Sequence, residues 1–204
     1  FVDLQVNGVD DVDVAIADGA DWGRLDGLLA ATGVTAWLPT LVTQRLERYG
    51  PALERIAAAS ARRGPRPTVL GAHLEGPFLG QHTGAHDPRR VVPIDLEWLG
   101  ALPDIVALVT IGAEQHDAVA ATEALAARGT VVSIGHSGAT AARADEVFDA
   151  GATMVTHLFN AMGPLHQREP GVAGAALADE RVVAGLIADL VHVHPALLRT
   201  AFRT

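Results

Sequence analysis

Three residues have side chains suited to a divalent metal ion and stand at matching points of the sequence pattern. Glu75, His136 and His157 each close a short apolar run: Thr68-Val69-Leu70-Gly71-Ala72-His73-Leu74-Glu75, Thr130-Val131-Val132-Ser133-Ile134-Gly135-His136 and Thr153-Met154-Val155-Thr156-His157. One carboxylate and two imidazoles, with a fourth position left open, form the donor set of a catalytic zinc or iron site. An ion held this way lowers the pKa of bound water toward ~7 and polarises a carbonyl oxygen. A lone histidine on an apolar run is more often a satisfied core residue, so it is the shared strand-end placement that favours chemistry. A buried Glu75 in Leu74-Glu75-Gly76-Pro77 needs a cation or hydrogen-bond donors, and no sequence neighbour supplies one. Gln5, Asn7 and Asp189 close other runs in the same manner.

The remaining histidines divide by position. His86, in Thr83-Gly84-Ala85-His86, follows the run that carries Glu75, so its loop can reach the same mouth. His192 follows Ile187-Ala188-Asp189. His73 is read as structural or as support for a ligand, and His82, His116 and His166 as loop or helix-start residues without chemistry. His194, just before Pro195, is expected to turn outward. Directly after His157 comes a long loop, Asn160–Gly171, with an amide, free backbone donors and Arg168. Such a loop suits a phosphate gripped by a bidentate guanidinium contact. An equal reading makes it a capping loop in which Arg168 pairs with Glu169 or another surface acid.

These residues need a frame, and the sequence supplies a repeating one. Segments rich in Ala, Leu, Glu and Arg end at a glycine, and a β-branched run follows, as in Ala126-Ala127-Arg128-Gly129 before Thr130-Val131-Val132. Glycine just past a helix takes the left-handed cap conformation, and arginine in the last turn suits the helix dipole. The pattern predicts strands over 1–7, 34–39, 68–75, 105–111, 130–135, 153–157 and 182–187. Helices are expected near 21–32, 43–62, 95–101, 117–128, 140–150 and 195–203. Apolar runs buried on both faces and alternating with helices define an α/β fold with a parallel sheet. An open doubly wound sheet satisfies the same rules, but polar residues at almost every strand end favour a TIM barrel, whose chemistry gathers at those ends. Seven strands leave that barrel incomplete, so residues 1–204 are expected to be one catalytic barrel domain cut at both ends, the eighth strand lying beyond Thr204.

Composition narrows the functions. The 204 residues contain no cysteine, which removes disulfides and thiolate metal sites. All fifteen cationic residues are arginine, so neither a Schiff-base lysine nor a carbamylated lysine bridging two metals is available. A net charge of −9 with no basic cluster argues against nucleic acid. No apolar run approaches the ~20 residues of a membrane span. The opening residues lack the pattern of a signal peptide, and a cytoplasmic location is expected.

The motifs, taken together, resemble N-acetylglucosamine-6-phosphate deacetylases of the amidohydrolase superfamily. They are Phe1-Val2-Asp3-Leu4-Gln5-Val6-Asn7-Gly8, His73-Leu74-Glu75-Gly76-Pro77-Phe78, Gly135-His136-Ser137, Thr156-His157-Leu158-Phe159-Asn160-Ala161-Met162, Arg168-Glu169-Pro170-Gly171 and Ile187-Ala188-Asp189 followed by Val191-His192. They run in the family's order over nearly all of residues 1–195. The resemblance implies a metal held by Glu75, His136 and His157, zinc or iron first and cobalt or manganese as further options. It implies that His86 polarises the acetyl carbonyl, and that Ala85, Asn160, the backbone at Ala161, Arg168 and His192 bind an amino-sugar phosphate. It also implies a homodimer in which Arg168 can serve a neighbouring subunit.

Two departures bear on this. Gln5-Val6-Asn7 stands where many amidohydrolases carry His-x-His, so one tight metal site is expected rather than two. The family's proton-transferring aspartate, on strand eight, and a small flanking β-sandwich are expected to lie outside this chain, leaving the 204 residues alone with little or no activity. Rival readings are an amidohydrolase acting on a cyclic amide or another N-acyl sugar, a metal-free sugar-phosphate isomerase or aldolase barrel, and a non-catalytic remnant that binds sugar phosphate.

Overall fold

Every strand position expected from the sequence carries a strand in the computed structural model, which describes residues 1–203. The chain forms two units. The first comprises Phe1–Pro77 with Leu102–Val109, and the second Phe78–Ala101 with the residues from Thr110 onward.

In the first unit β1 (Val2–Val6) lies parallel beside β4 (Ala36–Val42), which pairs on its other side with β5 (Thr68–Val69) and β6 (Ala72–Glu75). The opening residues of β7 (Val106–Ile111) follow β6 in the sheet. A small antiparallel hairpin, β2 (Gly8–Val9) with β3 (Val12–Asp13), follows β1. Helices α1 (Asp21–Ala31) and α2 (Tyr49–Ser60) bury one face each: Trp22, Leu25 and Leu29 on α1, and Tyr49, Ala52, Leu53, Ile56 and Ala59 on α2. These spacings of three and four residues are one helical stripe. Strand β4 runs three residues further than expected. Pro39 has no N–H for the ladder. The β1–β4 register shifts between Asp3 and Val6, and the Thr40 hydroxyl accepts from Val6 N–H at 3.0 Å, so the strand continues to Val42.

In the second unit the sheet order is the end of β7, then β8 (Val131–Ile134), β9 (Met154–Val155) and β10 (Val183–Ala184), with β8–β9 and β9–β10 parallel. Helices α3 (Leu96–Gly100), α4 (Ala118–Ala127), α5 (Ala141–Asp149) and α7 (Pro195–Ala201) match the expected segments. Helix α6 (Gly171–Ala178) was not expected. Its sequence, Gly-Val-Ala-Gly-Ala-Ala-Leu-Ala, has no polar face to set a period, and it packs against α5 with five of its eight residues buried. Strand β10 is shorter than the expected 182–187. Among the described residues no helix is long and apolar enough to cross a membrane.

Candidate metal centre

In the second unit, His136 and His157 follow β8 and β9 with their rings edge to face, centroids 4.7 Å apart. Both residues have left-handed backbone, φ 50° and 37°. That conformation costs a non-glycine residue on the order of 1–3 kcal/mol and is tolerated mainly where surrounding structure or function demands it. Phe159 and Ala161 share it, so the short stretch after β9 is coiled tightly. Gly135 sets up the first turn, because a Cβ there would stand 2.6 Å from Thr110 Cγ2 and 2.9 Å from Thr156 Cβ.

Their hydrogen bonds decide the tautomers. His136 Nδ1 lies 3.0 Å from the His82 carbonyl and His157 Nδ1 lies 3.1 Å from the Asn160 carbonyl. A carbonyl oxygen only accepts, so each Nδ1 carries a proton, which leaves Nε2 as the ring atom that can ligate a metal. The two Nε2 atoms face each other at 3.0 Å. An approach this close is favourable when a proton or a cation is shared between the two nitrogens. Two imidazole nitrogens bound to one tetrahedral zinc at ~2.0–2.1 Å stand ~3.3 Å apart, so the pair fits a shared metal ion. The ring of His86 packs edge-on against His136, centroids 4.3 Å apart.

In the first unit Glu75 ends β6 and is 3% exposed. The donor that sequence proximity could not supply comes from β1: Gln5 Nε2 donates to Glu75 Oε1 at 2.7 Å. A neutral amide orients a carboxylate and competes weakly with a cation for it, which suits a supporting role better than a ligand role. Thr43 donates its hydroxyl to the Glu75 carbonyl at 3.3 Å. Burial pushes the Tyr49 phenol above its ordinary range, and the Glu75 charge adds to the rise. His73 is buried with Nδ1 3.0 Å from the Leu4 carbonyl and 3.3 Å from the Thr40 hydroxyl.

The other expected residues lie further out. Ala85, Arg168 and His192 are exposed, and Asn160 and Ala161 half-buried. Glu169 accepts from the N–H groups of Ala141 and Gly171, at 2.7 and 3.2 Å, so its carboxylate serves the loop backbone rather than Arg168. His192 Nδ1 meets Asp189 at 2.6 Å. The Asp189 carboxyl is held down to about 2, first by the backbone N–H groups of His192 and Val191 and then by the His192 ring. His82, read from the sequence as bland, matters through its carbonyl. Glu114 was missed altogether. It stands three residues beyond β7, and no local motif marks it.

No protein-family model matches the chain. Individual proteins do. The N-acetylglucosamine-6-phosphate deacetylase of Danio rerio is 38% identical over 221 residues, covering 100% of this chain and 54% of that protein. The N-acetylgalactosamine-6-phosphate deacetylase of Escherichia coli O157:H7 is 40% identical over 206 residues, covering 97% and 54%. Among solved structures, a mutant N-acetyl-D-glucosamine-6-phosphate deacetylase from Mycobacterium smegmatis, in complex with N-acetyl-D-glucosamine-6-phosphate, superposes with a TM-score of 0.93 at 37% identity, covering 100% of this chain and 54% of that one. The chain thus spans about half the length of the relatives it matches. The fold it shares with this solved structure is α/β, part of a (β/α)8 barrel. More narrowly, it resembles N-acetylglucosamine-6-phosphate deacetylases along its whole length.

Proposed function

We propose that these 204 residues are the metal-holding part of a hydrolase that cleaves the N-acetyl amide of N-acetylglucosamine 6-phosphate to glucosamine 6-phosphate and acetate. The observation that carries this reading is the His136–His157 pair, whose Nδ1 atoms meet main-chain carbonyls while the two Nε2 atoms converge at 3.0 Å. The similarity to deacetylases over the full chain supports the substrate.

Glu75, His136 and His157 are the metal ligands in this reading, with Gln5 orienting the carboxylate. The ion, zinc or iron first and cobalt or manganese as further options, supplies a Lewis acid that polarises the acetyl oxygen and acidifies water. His86, beside His136, donates to the same acetyl oxygen as charge develops on it. Asn160, the backbone at Ala161, and Arg168 grip the 6-phosphate, Ala85 contributes to the substrate site, and His192 meets a sugar hydroxyl or the phosphate. Asp189 keeps the His192 ring oriented. The base that takes the proton from water and returns it to the leaving amine is an aspartate outside these 204 residues. The enzyme works in the cytoplasm as a homodimer, with Arg168 able to reach a neighbouring subunit.

A second reading has its own observation. The 40% identity to an N-acetylgalactosamine-6-phosphate deacetylase makes the C4 epimer a competing substrate. Acetate release by the full-length protein from N-acetylglucosamine 6-phosphate, N-acetylgalactosamine 6-phosphate and unphosphorylated N-acetylglucosamine, with and without chelator, separates these. Chelator-sensitive release that needs the phosphate supports the reading, and the faster epimer names the substrate. No release from any of the three by a folded, metal-loaded protein would refute it.

A further inference from the structure

We propose that Glu114 is a positioning residue that fixes His136 for metal binding, by tying together the two loops that hold this histidine. The inference rests on the reading of His136 as a metal ligand. Glu114 Oε1 accepts from Gln81 N–H and from Gly138 N–H, both at 2.8 Å, and Oε2 accepts from the Ser137 hydroxyl at 2.5 Å. Gln81 sits in the loop whose next residue, His82, gives its carbonyl to His136 Nδ1. Gly80 N–H, in the same loop, donates to the His136 carbonyl at 3.0 Å. Ser137 and Gly138 follow His136 directly. The ring and the main chain of His136 are therefore both bonded to one loop, and a single carboxylate joins that loop to the segment leaving His136.

The arrangement is built for the carboxylate. A Cβ on Gly80 would fall 2.0 Å from Glu114 Oε1, and one on Gly112 would fall 2.3 Å from Gly80 N, so the carboxylate enters only because both positions are bare. Ser137 Oγ, wholly buried, is aimed by the N–H groups of Ala113 and Ala139 at 3.3 and 3.2 Å. The backbone on either side of Glu114 is pinned by Arg143, which donates to the carbonyls of Ala113 and Gln115 at 2.9 and 3.1 Å. Gln115 in turn donates to the Leu79 carbonyl at 2.7 Å. Hydrogen bonds to an ionised acceptor are the strong, short ones, and three converge here. Groups that orient metal ligands from outside the coordination sphere typically change metal affinity 10–100-fold when removed.

A loop staple with no bearing on the metal is the competing explanation, and zinc affinity separates the two. In the full-length protein, zinc dissociation constants are measured by competition with a chromophoric chelator, and thermal midpoints are measured on the metal-free forms. Glu114→Ala is expected to weaken zinc binding by ~10–100-fold. Gly80→Ala is expected to do the same, because it expels the carboxylate while leaving it in the chain. Adding Ser137→Ala to Glu114→Ala is expected to change affinity little further, since both act through one contact. If Glu114→Ala does not fold, Glu114→Gln and Ser137→Ala take its place, each expected to weaken zinc severalfold. Zinc affinity at the wild-type level in the folded variants, with only the metal-free midpoint lowered, would overturn the proposal. A wild-type protein that binds no zinc would remove the metal reading and this inference with it. Tight zinc binding without acetate release would remove only the substrate assignment.

Discussion

His136 and His157 are 4% and 8% exposed with both rings held by main-chain carbonyls, whereas Ala85, Arg168 and His192 in the same unit stand in solvent. The inner pair is preorganised, so a metal ion meets donors whose orientation is already settled. If Arg168 and His192 bind substrate as proposed, each gives up side-chain freedom to do so, at a cost of ~0.5–1.5 kcal/mol for each long side chain immobilised. A rigid centre within an adaptable rim fits the proposed division of labour, in which the inner groups carry chemistry and the outer ones choose the substrate.

That contrast can be broken in four ways. The largest effect is expected from His136→Ala or His157→Ala. Losing several kcal/mol of electrostatic stabilisation corresponds to roughly a thousandfold drop in kcat/KM. Acetate release and bound zinc should fall together, and near-normal zinc binding in either variant would place the ion elsewhere. Next is Arg168→Ala. One charge-assisted hydrogen-bonding group contributes ~1.5–3 kcal/mol, so kcat/KM for the phosphorylated sugar should drop by ~10–100-fold with the zinc dissociation constant unmoved. An equal drop for the unphosphorylated sugar would end its assignment to the phosphate.

Smaller is Gly84→Ala, at φ +55° with the added Cβ 3.2 Å from His136 Cε1. It should cost ~1 kcal/mol in urea unfolding and weaken zinc slightly, because it presses on the rigid ring. Unchanged stability would mean that the ring has room to move. Smallest is the acid response of the Asp189 turn. Its carboxyl is depressed from 3.8 to about 2 in the folded chain, so its stabilising contribution is complete above pH 3.8 and is lost as pH falls through about 2. Amide exchange at Val191 and His192 in the metal-free protein should accelerate over that interval. Acceleration beginning near pH 5 would point to another group.

What the sequence revealed and what it hid follow from how far apart the interacting residues lie. The strand-end placement of Glu75, His136 and His157 was legible because each closes its own apolar run, a signal contained in eight residues or fewer. The seven strand positions were legible for the same reason. The Gln5–Glu75 bond joins residues 70 apart, and the bonds from Gln81 and Gly138 to Glu114 span 33 and 24, so no local pattern records them. Helix α6 was hidden because its residues are almost all small and apolar, leaving no polar face to reveal a period. Arg168 and Glu169 are neighbours in sequence, which made an ion pair as plausible as a phosphate grip; the Glu169 carboxylate turned instead to the N–H groups of Ala141 and Gly171.

The left-handed backbone at positions 136, 157 and 161 has an evolutionary consequence. At such positions glycine is easier to accommodate than any residue that carries a Cβ. Glycine in place of either histidine would relieve the backbone strain and give up the ring's hydrogen bond to a main-chain carbonyl. Under the proposed metal reading, the strain at both histidines is what it costs to aim two Nε2 atoms at one point, and a lineage that lost the metal would be free to shed it.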